Sequence, residues 1–380
     1  MREKILLCDG SFGTYFESKH PDFGGAVECA NLEGAGLVRA VHAEYLESGA
    51  RMLRTNTFGA NEPALRCGRE GVNGILRAGY AAARALADER PDGPVFVATS
   101  IGPVFSDGAD LEYRLIAREF LDAGAEVVLF ETLSEYDAVL PLLKELKATG
   151  ARGGRGPFVI LSFCVNRYGY TDTGISAKRI VQTLSDVDEV DCIGFNCGTG
   201  PLHLYRVLSA LDLAVPKFLM VLPNAGYPEI ANNRFSYQQN IPYFTEWVAR
   251  IRELGVNIIG GCCGTTPQYT RMLREKIPES PVARAKKRRA AATASQSNSA
   301  PAAQTRGPAS PSPSPVFGEK LRARQKILAV ELDPPLNANY TKLMEDAIRL
   351  KNQGVDILTF ADSPTGRARA DSFLIASKVV

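Results

Sequence analysis

Short apolar runs alternate with longer amphipathic stretches from residue 4 to about residue 278. Eight runs stand out, at 4–8, 52–56, 95–99, 127–131, 158–165, 191–196, 217–222 and 256–261. Each is short enough for a buried strand. Between them lie segments with apolar residues at three- and four-residue spacing, such as 37–47, 111–123, 136–147 and 243–254, which predict helices with one face on a core. Alternation of this kind belongs to βα units around a parallel sheet. Eight strands in about 275 residues match a (β/α)₈ TIM barrel, typically ~250 residues, better than an open doubly wound sheet.

The polar residues that follow these runs agree with closure. Asp9-Gly10 follows the first, Thr55-Asn56-Thr57-Phe58 the second, Ser100-Ile101-Gly102 the third and Glu131-Thr132 the fourth. Asn166, Cys197, Pro223-Asn224-Ala225-Gly226 and Cys262-Cys263 follow the others. All fall at C-terminal strand ends, where barrel enzymes assemble their active sites.

The pattern breaks after residue 279. Residues 290–315 are almost wholly Ala, Ser, Pro, Thr, Gln, Asn and Gly without apolar periodicity, which predicts a disordered linker over 280–325. Order resumes at 326, with a strand expected at 327–332, a helix at 340–352, a second strand at 355–360 and the opening of another helix at 372–380. Two βα units cannot close a barrel, so residues 326–380 read as the start of a second, incomplete one. The expected division is a first domain over 1–279, the linker, and this second domain.

Composition narrows the function classes. The chain is 45% hydrophobic and 23% charged with a net charge of only +2, ordinary for a globular protein. Arg284, Lys286, Lys287, Arg288 and Arg289 cluster beside the linker, so the remainder is slightly acidic and no nucleic-acid footprint is expected. The apolar run Ile5-Leu6-Leu7-Cys8 is too short for a signal peptide or a membrane span, and the expected compartment is the cytoplasm. Cys8, Cys29, Cys67, Cys164 and Cys192 read as buried hydrophobes.

The other three cysteines carry the most chemistry. Gly194-Phe195-Asn196-Cys197 and Gly260-Gly261-Cys262-Cys263-Gly264 place three thiols at the ends of two expected strands. A Cys₃ set is one ligand short of the tetrahedral shell of structural zinc, which leaves a position for a substrate thiol. Adjacent strand residues point to opposite faces, so Cys262 and Cys263 share a metal only where the backbone turns sharply, and the flanking glycines permit that turn. The alternatives are small buried cysteines or a strained vicinal disulfide.

With Asp9-Gly10-Ser11-Phe12-Gly13-Thr14, Thr55-Asn56-Thr57-Phe58 and the two cysteine motifs in this order, residues 1–278 resemble the zinc-dependent homocysteine S-methyltransferases. The resemblance implies Zn²⁺ held by Cys197, Cys262 and Cys263. It also implies L-homocysteine as acceptor, its ammonium held by Glu131 and Asp9; the glycine-rich turns at Gly10–Gly13 and Ser100–Gly102 leave backbone amides open to its carboxylate. The methyl donor is left among S-methylmethionine, S-adenosylmethionine, methyltetrahydrofolate and a methyl carrier protein. No histidine has an aspartate two residues before it, so the cobalamin-ligating Asp-x-His-x-x-Gly signature is missing. Val330-Glu331-Leu332-Asp333-Pro334-Pro335 and Leu358-Thr359-Phe360-Ala361 resemble the first two strands of methylenetetrahydrofolate reductases. That likeness implies FAD and NAD(P)H for a complete reductase domain, with Glu331 as catalytic acid and Thr359 beside the flavin. The tandem order resembles bacterial bifunctional proteins joining both activities. Two other readings remain: methylation of a different thiol or selenol, and a non-catalytic metal clip that tethers the reductase.

Overall fold

The computed structural model describes residues 4–149, 156–226, 228–231, 234–237, 239–280, 320, 323, 325–333, 335 and 341–360. Most of the expected linker over 280–325 and the whole of the expected helix at 372–380 lie outside them. The chain divides into two compact units, Met1–Ala290 and Ala291–Val380.

The first unit is built on eight parallel strands. These are β1 (Leu6–Leu7), β2 (Met52–Arg54), β3 (Phe96–Ile101), β4 (Val127–Leu133), β5 (Phe158–Phe163), β6 (Cys192–Asn196), β7 (Phe218–Leu222) and, after a short antiparallel hairpin of β8 (Pro228–Ala231) and β9 (Arg234–Tyr237), β10 (Ile258–Ile259). The sheet order is β1-β10-β7-β6-β5-β4-β3-β2, each neighbour parallel. A parallel bridge between Cys8 and Met52 joins the two ends, supported by Asp9 N–H donating to Met52 O at 3.0 Å. All eight expected strands are present, and the sheet is a closed (β/α)₈ barrel.

Alternation within the strands sorts side chains into two cores. Met52, Ala98, Leu129, Ile160, Cys192, Met220 and Ile258 fill the barrel lumen, and Cys262 closes it at the C-terminal end. The opposite face meets the helices. In helix Gly68–Asp88, Val72, Ile75, Leu76, Tyr80, Ala83 and Ala87 form one buried stripe at helical spacing. Each large side chain so buried contributes about 1.5–3 kcal/mol. Pro141 delays the helix expected from 136, which runs Leu140–Ala148, because proline fits only the first turn. Among the described residues no helix is long and apolar enough to cross a membrane.

His42 is a packing residue with a consequence for acid stability. It is fully buried with its ring 4.9 Å from Phe12, and neither ring nitrogen has a hydrogen-bond partner among the described residues. Burial lowers its pKa to about 3. The folded state therefore takes up the proton later than the unfolded chain, and His42 costs stability only as pH falls below ~6.5 toward 3. His42→Leu is expected to remove about 1.4 kcal/mol per pH unit from the acid slope of unfolding in that window. Denaturant melts at pH 6 and pH 4 measure it; identical slopes would contradict the assignment.

In the second unit β11 (Ala329–Leu332) pairs parallel with β12 (Ile357–Phe360) across the helix Thr341–Asn352. Glu331 lies opposite Thr359 in that register, and both are exposed.

Candidate active site

The C-terminal strand ends carry a continuous polar network. Pairing of β4 with β5 shifts register between Phe130 and Leu133, a bulge that contains Glu131 and Thr132. Thr132 has φ 63° and Cys197 φ 60°, left-handed conformations that non-glycine residues adopt where surroundings enforce them. Asn196 holds the first of these in place. Its Oδ1 accepts from Thr132 N–H at 3.0 Å and from Ser162 Oγ at 2.6 Å, and its Nδ2 donates to Thr132 Oγ1 at 2.8 Å and Glu131 Oε2 at 3.1 Å.

The three motif cysteines converge. The sulfurs of Cys197, Cys262 and Cys263 all lie within 4.8 Å of one another, with Cys197 and Cys263 3.7 Å apart. The turn that allows this depends on Gly261, where a Cβ would sit 2.3 Å from Thr265 Oγ1. Thr265 in turn donates to Cys262 O at 2.7 Å and accepts from Ser11 N–H at 3.1 Å, tying the cysteine loop to the first strand end. The thiol pKa values split. Contact with Cys197 is the main cause raising Cys262 to about 11, and Cys263 is raised by both neighbours. Cys197 is lowered overall: contact with Cys164 pushes it up, but hydrogen bonds with Cys262 and Cys263 outweigh that. A cluster of this kind ionises fully only beside a cation.

Arg54, the last residue of β2, was not among the expected site residues, yet it occupies the centre of the network. It is 6% exposed, and every nitrogen of its guanidinium is engaged. Nε donates to Asp9 Oδ1 at 2.9 Å and Nη1 to Glu131 Oε2 at 3.0 Å. Nη2 donates to Gly10 O at 2.5 Å and Gly261 O at 2.9 Å. The two carboxylates hold its pKa well above the ordinary arginine value despite burial. Asp9 also accepts from Arg54 N–H at 2.8 Å, and burial raises its own pKa against the pull of Arg54. The sequence signal was present: an arginine inside the expected strand at 52–56, directly after Met52-Leu53 and before Thr55-Asn56-Thr57-Phe58, is a buried charge in need of partners.

Two cavities open here. One of about 510 Å³ is lined by Ser11–Thr14, Arg54, Ser100, Glu131, Thr132 and the three cysteines. The other, about 690 Å³, shares Phe58 and Thr132 with it and reaches Cys164, Glu135 and Asp172. Glu131 thus faces the cysteine cavity, with Ser100 Oγ donating to its Oε1. Asp9 lies behind Arg54 and is not in that wall. The amides of Ser100 and Gly102 already donate, to Thr55 Oγ1 at 2.9 Å and Phe58 O at 2.9 Å, which leaves the turn at Ser11–Thr14 in contact with the cavity. Of the five cysteines read as buried, Cys8 and Cys192 are so, Cys29 and Cys164 are partly exposed, and Cys67 is exposed.

Comparison with known proteins agrees with this architecture. A model of the homocysteine S-methyltransferase family matches residues 6–277. The methionine synthase of Mycobacterium leprae (strain TN) is 30% identical over 71% of this chain, which spans only 24% of that relative's length. The homocysteine methyltransferase MmuM from Escherichia coli is similar in fold in its oxidized form, with TM-score 0.59 and 21% identity over 72% of this chain and 96% of that one. Its metallated form gives TM-score 0.57 and 24% identity over the same shares.

Proposed function

We propose that this chain, which belongs to the homocysteine S-methyltransferase family, methylates the thiol of L-homocysteine to give methionine, with zinc held by Cys197, Cys262 and Cys263. The observation that carries this reading is the convergence of three sulfurs within 4.8 Å on the wall of a cavity that also holds Glu131. The donor set fits the metal: sulfurs ~2.3 Å from a tetrahedral zinc lie roughly 3.8 Å apart, and the Cys197–Cys263 separation is 3.7 Å. Bound there, zinc would hold the acceptor sulfur as a thiolate at neutral pH.

The chain's own residues supply binding and orientation. Glu131 takes the ammonium, and the amides at Phe12–Gly13 take the carboxylate. Asp9 serves the ammonium indirectly, by fixing Arg54 and through it Glu131. The acceptor sulfur's lone pair forms the new bond to the methyl carbon as the donor–methyl bond breaks, and the thiol proton leaves to solvent.

The larger cavity is the proposed donor site because it adjoins the cysteine cavity at Phe58 and Thr132. Its described lining holds the acids Glu135 and Asp172 and no lysine or arginine, which favours a cationic donor. A sulfonium such as S-methylmethionine or S-adenosylmethionine fits that charge, and its leaving group departs neutral. Methyltetrahydrofolate and a methyl carrier protein are the competing donors. Zinc-loaded protein given L-homocysteine is expected to form methionine with a sulfonium and not with methyltetrahydrofolate alone, read by chromatography of the product. Methionine from the folate alone would reverse the donor assignment. No methionine from any of these donors would favour a different thiol or selenol, or a non-catalytic clip.

For residues 326–380 the proposed reading is the start of a methylenetetrahydrofolate reductase barrel, with cytoplasmic placement for the whole. Glu331 and Thr359 opposite each other on β11 and β12 support it, since the proposed acid and flavin contact then share one exposed face. FAD and NAD(P)H are the cofactors this reading requires. Fluorescence titration with FAD tests it: saturable quenching supports a flavin site, and flavin left free by every length of chain carrying β11 and β12 removes it.

A further inference from the structure

We infer that Arg54 is a specificity-determining positioning residue, a rigid spacer that sets the distance between the ammonium-binding carboxylate and the metal-binding sulfurs and so selects homocysteine over its one-carbon-shorter homologue, cysteine. The inference rests on the homocysteine reading above. A substrate bound by its ammonium at Glu131 and its sulfur at the cysteines must span a fixed gap. One guanidinium controls both ends of that gap. Nη1 holds Glu131 Oε2 at 3.0 Å, while Nη2 holds the carbonyl of Gly261, the residue before Cys262, at 2.9 Å. The guanidinium is planar, so these contacts are related by covalent geometry and not by a flexible chain.

The other contacts prevent the spacer from moving. Nε and the backbone N–H of Arg54 grip both oxygens of Asp9, at 2.9 and 2.8 Å, and Nη2 also reaches Gly10 O. Gly10 is itself fixed: a Cβ there would lie 2.6 Å from Thr265 Oγ1 and 2.8 Å from Tyr45 Oη. Asn196 runs a parallel tie, from Glu131 Oε2 at 3.1 Å to Cys262 Sγ at 3.9 Å. Removing a methylene shortens a substrate's reach by about 1.3 Å. In a rigid site a misplacement of ~1 Å can cost ~10²-fold.

Arg54→Lys keeps the charge and loses the fork, because one ammonium cannot hold Asp9, Glu131, Gly10 and Gly261 together. The test is calorimetric binding of L-homocysteine and L-cysteine to zinc-loaded wild type and variant, with zinc content and circular dichroism recorded for each. Wild type is expected to favour homocysteine by ~10–200-fold, the range a single methylene commands. Arg54→Lys is expected to lower that preference at least ~10-fold with zinc content unchanged. Equal weakening of both ligands, with the preference intact, would show a merely structural role and overturn the inference. If Arg54→Lys does not fold, Asp9→Asn decides. It loosens the same guanidinium without touching Glu131 or the thiols of Cys197, Cys262 and Cys263, its one thiol partner being Cys8 at 3.3 Å, and a preference equal to wild type there overturns the inference as well. Wild type that binds neither thiol overturns the homocysteine reading, and this inference with it.

Discussion

Cys262→Ala is expected to lose its zinc and at least ~10³-fold of its methyl-transfer rate while keeping the barrel. Two effects disappear together: formation of a thiolate at neutral pH, from a free thiol of pKa ~8.5, and positioning of that sulfur against the methyl group. The fold should survive because the loop backbone does not depend on the side chain. Cys262 N–H donates to Pro223 O at 2.8 Å, and its carbonyl accepts from Thr265 N–H at 3.1 Å and Thr265 Oγ1 at 2.7 Å. Far-ultraviolet circular dichroism near wild type, with metal analysis below one zinc per chain and methionine at background, is the predicted set of results. Wild-type turnover from a zinc-depleted variant would sink the assignment.

Glu131→Gln comes next in size. The substitution is isosteric, and the amide can keep its oxygen toward Arg54 and Asn196 while its nitrogen donates to Ser100, so the network stays hydrogen-bonded. What it loses is the charge opposite the substrate ammonium. A charge-assisted contact is worth ~1.5–3 kcal/mol, so Kd for homocysteine should rise ~10–150-fold with zinc content unchanged. Titration calorimetry on the zinc-loaded variant measures it. A Kd equal to wild type would remove Glu131 from the substrate site.

The barrel was legible because its signal repeats. Each apolar run bounded by turn residues marked one strand, and burial of both faces of a parallel sheet made the runs nearly continuous. Ends were less legible. The run at 4–8 narrows to Leu6–Leu7 with a bridge at Cys8, and that at 256–261 narrows to Ile258–Ile259, because Gly260 and Gly261 turn the chain into the cysteine loop. The hairpin of β8 and β9 left no clear pattern and was not anticipated.

At the site, the structure brings together the three cysteines that local motifs singled out, while Arg54, whose partners are distant in sequence, was not singled out. Cys197 and Cys262 are 65 residues apart in sequence, but flanking glycines flagged each. Arg54 had no such motif; its meaning comes from Asp9, Glu131 and Gly261, which only barrel closure brings within one guanidinium's reach. Asp9 was correctly placed at a strand end, yet Arg54 lies between it and the cavity. Cys164 was read as a core residue, though it borders the larger cavity beside Cys197.

The zinc K-edge absorption spectrum of the loaded protein, with and without L-homocysteine, tests the central claim most directly. The account predicts three sulfur neighbours in the free protein, supplied by Cys197, Cys262 and Cys263, and four once homocysteine is added. A spectrum that already shows a closed shell and does not change with homocysteine would contradict it, and would leave the three cysteines as a structural clip.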